Sequence, residues 1–593
     1  PPTAEPLFGS AAFPPDPGIA HPQILHSAMC QRLLELGVWC FLLFAVVEAK
    51  FLQSEIRKPT GVSPAYYHEQ IQDHFDPANK KTWQQAYYVN ATYWKSGSDA
   101  PIFLCVGGEG PAMDASAVKD SVHCNIAVEW LKEKEALMFA LEHRYYGCHN
   151  MSACPVKDFS RHDALNFLSS RQAIEDVATF VKAMNAKYSL TRNLWITWGG
   201  SYPGMLAGWS RLKHPELIHA SVASSAPVFA TFDMPQYCDH MSYAYTVSHF
   251  SVGGSEMCKN AIRAGHAWVE ERFQKADFQA VVDKFGLQNG SLASLDERIA
   301  FASTGVADFP AQENDPLCEN PVCNIAKVCE VMTNQSFGDE VDRLVHLRKL
   351  QGLGKEHSQK GRLQAQVFSG QRGPLRHSMS GVVQQTADLP DFWFYQTCKE
   401  FGFYQTCEDD DCMFVRGLAN ASYMATPCMK LFNIALEDVQ SNIDETNNHY
   451  GGHLPTDATG KLGRCVMFPN GEVDPWSTCS VLSAPSPDLP VLSVKGASHH
   501  AWTWPSRSND QESVMTARTQ IKRQVDIFLE MDCGEVGQRP NVNSKWIIVM
   551  VCIVAAALLV TILGVFLYRR CRPSREPLLR SPRRSSSLSL QPQ

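Results

Sequence analysis

Short apolar runs alternate with helical patterns through residues 101–230. PIFLCVGG (101–108) and ALMFALEH (136–143) are apolar runs of strand length and predict strands. LSSRQAIEDVATFVKAM (168–184) places its apolar residues at helical spacing. LWITW (194–198) predicts a buried strand, with a helix behind it that ends before Pro215. Strand signals return at GRCVMF (463–468) and LPVLSV (489–494), followed by a helix at 513–530. Between them, residues 230–425 are rich in Cys and in helical pattern, as in EMCKNAIRAGHAWVEERF (256–273). Alternating strands and helices predict a mostly parallel sheet. The simplest organisation is one α/β domain in two sequence pieces, 50–229 and 425–533, with a mainly helical cap inserted at 230–424. Two independent domains would leave the first sheet without its last strands.

The two ends differ from this body. Residues 546–568 are 23 residues without a charge, longer than the ~20 that span a bilayer as a helix. Arg569, Arg570, Arg572 and Arg575 follow, which predicts a cytoplasmic tail over 569–593. GEVGQRPNVNSK (534–545) is a polar stalk before the span. Near the other end, Arg32, an apolar stretch over 38–47 and the small-residue pattern Val47-Glu48-Ala49 predict a signal peptide over 29–49. Residues 1–28 hold seven Pro and no Lys or Arg, and are expected to be a gene-model extension ahead of a start at Met29.

Composition narrows the class. With 593 residues, 45% apolar and 19% charged, the chain is an ordinary globular sequence, neither disordered nor collagen-like. A net charge of −8 disfavours a nucleic-acid binder, more so because residues 569–593 alone hold seven Arg against one acidic residue. Of 20 Cys, 16 fall in residues 50–545, an even number that fits disulfides in an oxidising lumen. Five N-x-[ST] sequons, at Asn90, Asn150, Asn289, Asn334 and Asn420, lie in the same region.

The candidate chemistry begins at Trp198-Gly199-Gly200-Ser201-Tyr202-Pro203-Gly204. A Ser between a buried strand and a helix, flanked by Gly, is a nucleophile-elbow pattern. Pro203 stands where the strict G-x-S-x-G form has Gly, but Pro is tolerated in a first helical turn. The Tyr202 N–H, the candidate oxyanion donor, survives it. A Ser nucleophile needs a base and a group that orients the base. Asp474, in NGEVDPW (470–476), follows one predicted strand. His499 and His500, in Gly496-Ala497-Ser498-His499-His500, follow the next. The order Ser, acid, His is that of α/β-hydrolases. Gly107-Gly108-Glu109-Gly110-Pro111 follows the 101–106 strand, where a second oxyanion donor, Gly108, belongs. Without a following Lys-Ser/Thr it is disfavoured as a phosphate loop.

Other clusters carry less. His68-Glu69 and His74 miss the i, i+4 spacing of a zinc helix. Glu408-Asp409-Asp410-Asp411 between Cys407 and Cys412 reads as a solvated loop rather than a calcium site. Glu142 and Arg144 are expected to brace the site, and Ser224 and Ser225 to be buried strand-end residues.

Taken together, QDHF (72–75), IFLCVGGEGP (102–111), EHRYYG (142–147), LSSRQAIEDVATF (168–180), GGSYPG (199–204), ASSAPV (223–228), WFYQTCKEFGFYQTC (393–407) and NGEVDPW (470–476) carry a resemblance. The chain resembles the lysosomal-type serine peptidases that include prolyl carboxypeptidase, dipeptidyl peptidase II and thymus-specific serine protease, over residues 66–530. The resemblance implies an α/β-hydrolase domain with a helical cap that restricts the pocket to chain termini. It implies catalytic roles for Ser201, Asp474 and a His of the 499–500 pair, and cleavage after proline-like residues. Two departures stand out. The family elbow usually has Gly or Ala where this chain has Pro203. The family His loop usually reads Gly-x-His-His/Cys-x-Asp, whereas here one residue is added and no Asp follows. Matching the first His of the pair selects His499, with His500 as the alternative.

The expected protein is a single-span membrane serine exopeptidase, in the endolysosomal or plasma membrane, with its catalytic part luminal or extracellular. It acts on peptides as a Pro-X carboxypeptidase or a dipeptidyl peptidase. No cofactor, metal or nucleic acid is expected, and a homodimer is admitted. The alternative is a catalytically weak adhesion or receptor ectodomain that keeps a hydrolase fold.

Overall fold

The computed structural model describes residues 64–161, 163–352 and 389–534. The predicted signal peptide, most of the stalk, the span at 546–568 and the basic tail lie outside the described residues. Among the described residues no helix is long and apolar enough to cross a membrane.

Eight strands form one sheet: β1 (Ala65–Ile71), β2 (Thr82–Asn90), β3 (Ile102–Val106), β4 (Leu137–Leu141), β5 (Trp195–Gly200), β6 (Ala220–Ser224), β9 (Val466–Gly471) and β10 (Val491–Val494). Their spatial order is β1-β2-β4-β3-β5-β6-β9-β10. β1 pairs antiparallel with β2, and β2 antiparallel with β4. From β4 through β10 every pairing is parallel. This mixed sheet, with a nucleophile-elbow pattern leaving its central β5, is an α/β-hydrolase arrangement.

The inner strands are apolar on both faces, as a parallel sheet covered on both sides requires. Ile102, Leu104 and Val106 of β3 pack with the helices Ser170–Lys187 and Tyr202–Lys213. Phe103 and Cys105 of the same strand pack on the other side, with Asn125–Lys134 and Glu512–Glu530. The predicted strands at 101–108, 136–143, 194–198, 463–468 and 489–494 coincide with β3, β4, β5, β9 and β10. The periodic segment 168–184 lies in the helix Ser170–Lys187, opened by Ser169, whose side chain accepts from Gln172 N–H.

β6 and β9 are sheet neighbours although the sequence between them is long. That intervening chain is mainly helical, including Pro235–Ala244, Glu256–Gln274, Ile325–Thr333, Glu340–Leu350, Ala421–Phe432 and Leu436–Tyr450. Its short strands β7 (Thr231–Asp233) and β8 (Gly402–Tyr404) pair with each other in parallel.

Seven disulfides join described residues: Cys105–Cys124, Cys148–Cys154, Cys258–Cys329, Cys318–Cys323, Cys398–Cys428, Cys407–Cys412 and Cys465–Cys533. Cys238 and Cys479 are buried and unpaired, so the even count of cysteines in residues 50–545 does not mean complete pairing.

Candidate active site

The loops that follow β3, β5, β9 and β10 at their carboxyl ends carry the candidate chemistry, and parallel pairing sends them to one edge of the sheet, where ligands bind in open α/β folds. β5 ends at Gly200, and Ser201 adopts φ 65°, ψ −135°, a strained conformation for a non-glycine residue. The tight turn is pinned on both sides. Ser201 N–H donates to the Ser224 carbonyl at 3.0 Å, and the Ser201 carbonyl accepts from Met205 N–H at 3.0 Å to start the helix Tyr202–Lys213.

Pro203 lies in the first turn of that helix. Its ring fits because residue 108 has no side chain: a Cβ on Gly108 would stand 2.3 Å from Pro203 Cγ. The loop after β3 and the elbow are therefore in direct contact. Gly200 has a similar reason. A Cβ there would stand 2.9 Å from the His500 ring.

Asp474 follows β9 and is fully buried. Its Oδ2 accepts from His499 Nδ1–H at 2.8 Å, and its Oδ1 accepts from Trp476 N–H at 3.0 Å. With the proton of neutral His499 on Nδ1, its Nε2 carries a free lone pair. That atom is buried and has no hydrogen-bond partner among the described residues, so the Ser201 hydroxyl does not bond it here. Catalytic hydrogen bonds of this kind often tighten only when substrate binds. His499 N–H donates to the Gln312 carbonyl at 3.1 Å. The Gln312 side chain in turn accepts from Trp476 Nε1–H at 2.9 Å and the Tyr237 hydroxyl at 2.8 Å. The helical insertion thus holds the loop that carries His499.

His500 is placed differently. It adopts φ 38°, ψ 38°, its N–H donates to Ser225 Oγ at 2.9 Å, and its Nδ1 bonds Thr503 Oγ1 at 2.9 Å. Burial, with His499 and His123 nearby, pushes its pKa well below the usual imidazole range. It is a neutral wedge under Gly200. Ser224 and Ser225 are buried braces: Ser224 Oγ accepts from Trp502 Nε1–H at 3.0 Å.

In the loop after β3, burial pushes the Glu109 carboxyl up to about 7, while His499 acts in the opposite direction. Glu109 Oε2 is shut off from solvent and has no partner among the described residues. Glu142 accepts from Met113 N–H at 2.6 Å and His143 N–H at 2.9 Å. Arg144 clamps Asp176 with two bonds of 2.7 and 2.6 Å. His74 Nε2 also meets Asp176, at 2.8 Å. These residues tie β1 and β4 to the helix Ser170–Lys187. Asp239 and Asp409 form a carboxyl pair outside this edge, and burial with the Asp409 charge lifts Asp239 to about 7.

Asn289, Asn334 and Asn420 of the sequons are exposed. Asn90 and Asn150 are half-buried, and their Nδ2 atoms donate to the Val118 carbonyl at 2.9 Å and the Tyr66 hydroxyl at 3.2 Å. His123 was absent from the sequence candidates. It is half-buried beside His500 with ring centroids 5.2 Å apart, and loss of water around the ring lowers it to about 4. Its neighbour Cys124 is joined to Cys105 of β3, a pairing that no local sequence pattern encodes, so no signal in the sequence placed His123 near the sheet.

The model of the serine carboxypeptidase S28 family matches residues 70–521. The thymus-specific serine protease of Homo sapiens is 31% identical over 474 residues, covering 78% of this chain and 86% of that protein. The lysosomal Pro-X carboxypeptidase of Homo sapiens is 26% identical over 468 residues, covering 76% of this chain and 86% of that protein. Among solved structures, an epoxide hydrolase from Vigna radiata aligns with 78% of this chain and 98% of its own, at 10% identity and a TM-score of 0.27.

Proposed function

The chain belongs to the serine carboxypeptidase S28 family and is a serine-type peptidase, and we propose that it is an exopeptidase of proline-containing peptides that works through Ser201, His499 and Asp474. The observation that carries this reading is the buried 2.8 Å pair of Asp474 and His499, with the opposite imidazole nitrogen left unbonded, on the sheet edge where Ser201 leaves β5.

Ser201 Oγ attacks the scissile carbonyl while His499 Nε2 takes its proton. Asp474 holds the imidazole in the tautomer that has this lone pair free, and stabilises the cation that forms. The Tyr202 and Gly108 N–H groups receive the oxyanion. The imidazolium protonates the leaving amine, and water, activated by the same His, hydrolyses the acyl-enzyme. The helical insertion, residues 230–424, acts as the cap that restricts the pocket to a chain terminus.

The family resemblance and the name of the Pro-X carboxypeptidase relative support a lysosomal or secretory route. The uncharged stretch 546–568 supports a single membrane anchor, with the catalytic part luminal.

A peptide panel tests the activity. Proline-containing peptides with free, acetylated or amidated ends are incubated with the purified protein. Cleavage that stops when one terminus is blocked supports an exopeptidase and names the terminus. Internal cleavage of peptides blocked at both ends would contradict it.

A further inference from the structure

Tyr202 lies between the strained Ser201 and Pro203, and its side chain points away from the sheet edge into a buried polar chain. The His143 Nδ1–H donates to the Arg144 carbonyl at 2.7 Å, and burial lowers His143 to about 4, so His143 is neutral and its Nε2 is an acceptor. The Tyr202 hydroxyl donates to that Nε2 at 3.0 Å. The same hydroxyl oxygen accepts from Gln396 Nε2–H at 2.8 Å. Gln396 also donates to Glu400 Oε2 at 3.0 Å, and its Oε1 accepts from the Tyr146 hydroxyl at 2.7 Å. Glu400 closes the chain by accepting from Ser170 N–H at 2.8 Å and Ser170 Oγ–H at 2.6 Å, at the start of the helix Ser170–Lys187.

Each donor in this chain meets an acceptor, so the hydrogen-bond direction is fixed throughout. Gln396, Glu400, Tyr202, His143 and Ser170 are all buried. Gln396 and Glu400 belong to the inserted segment, Gln396 ending the helix Phe392–Gln396 and Glu400 lying in the π-helical turn Thr397–Phe401. The same segment packs Trp393 and Phe401 against the Tyr202 ring, with centroids 5.4 and 5.5 Å away.

We infer that Gln396 is a positioning residue for the reaction: by fixing the Tyr202 hydroxyl it fixes the peptide N–H that follows Ser201, so that docking of the insertion sets the oxyanion hole. This rests on the reading of the Tyr202 N–H as an oxyanion donor. Pro203 restricts the Tyr202 backbone from one side, and the Ser201 turn restricts it from the other. The side chain is the remaining handle on that peptide. Gln396 is the residue that grips its hydroxyl from the insertion. A buried Gln with all its bonds made rigidifies what it touches.

The test uses the full chain, with the variants Gln396→Met, Tyr202→Phe and the double variant, each checked for folding by its thermal transition. A fluorophosphonate probe reports the hole without knowledge of the peptide, because its phosphoryl oxygen occupies the oxyanion position. The limiting labelling rate is separated from the probe's binding constant. Each single variant is expected to label about 10- to 100-fold more slowly, the size expected for a small misplacement at the reacting centre. The binding constant should stay within about twofold. The double variant should label no more slowly than the slower single, because Tyr202→Phe already removes the contact that Gln396→Met removes. Wild-type rates in the folded single variants, multiplicative effects in the double, or a loss confined to the binding constant would overturn the inference. Tyr202→Phe keeps the ring and the N–H but also removes the bond to His143, so Gln396→Leu replaces Gln396→Met in the same comparison if the latter does not fold. Label retained in Ser201→Ala would overturn the reading of the site, and this inference with it. Label lost in Ser201→Ala with wild-type rates in both other variants would overturn the positioning role alone.

Discussion

Gly108 and Pro203 occupy complementary space: a Cβ on Gly108 would stand 2.3 Å from Pro203 Cγ and 2.4 Å from its Cδ. The proline that departs from the strict elbow pattern is thus accommodated by a glycine in the loop after β3. One contact joins the two backbone segments assigned to the oxyanion.

Gly108→Ala should therefore push that loop away from the elbow. A displaced donor is expected to cost about 10²-fold in turnover, as when an oxyanion donor is removed. Pro203→Ala placed in the same chain should recover most of the loss, since it removes the ring that the new methyl strikes. Turnover of the single and double variants measures this. Equal losses with and without Pro203→Ala would show that the contact is not the cause.

The two histidines should separate cleanly. His499→Ala removes the group bonded to Asp474 and is expected to cost on the order of 10⁴-fold or more in kcat, as triad removal does. His500 is a neutral wedge bonded to Thr503, so His500→Ala should cost at most about 10²-fold, through a shifted Gly200. Steady-state kinetics on both variants checks the order, and a reversed order would make His500 the base.

Glu109 gives a pH signature. Burial raises its carboxyl to about 7, so it is neutral below that pH and anionic above it. An anion near His499 favours the imidazolium that forms during attack. Activity should therefore rise as pH increases through about 7, because the anion stabilises the developing cation. In Glu109→Gln this step should vanish while any other limb of the profile remains. A profile of kcat/KM against pH for both proteins decides it, and an unchanged step in the variant would assign it to another group.

Much of this architecture could be read from the chain, for identifiable reasons. β3, β4 and β5 are buried on both faces, so their sequences are unbroken apolar runs of strand length. The loops with Asp474 and His499 follow such runs directly, and strand order does the rest. β1 and β2 escaped because polar residues turn inward there. Gln70 and Gln85 are both buried and bond each other at 2.6 Å, which breaks the alternation that marks a half-buried strand. The partners of Tyr202 escaped for another reason. Gln396 meets it across 194 residues of sequence, and no local pattern encodes a contact of that range. The unpaired Cys238 and Cys479 show the same limit, since an even count says nothing about which thiols approach each other.

The most direct measurement is fluorophosphonate labelling of the purified protein and of Ser201→Ala. Ser201 sits on a strained turn between β5 and the helix it starts, with the Asp474–His499 pair on the same sheet edge. Loss of its hydroxyl should leave that turn folded. The wild type should form one covalent adduct per chain, located at Ser201 by peptide mapping. Ser201→Ala should form none while keeping the wild-type thermal transition. An adduct on another residue, or full labelling of folded Ser201→Ala, would contradict Ser201 as the nucleophile.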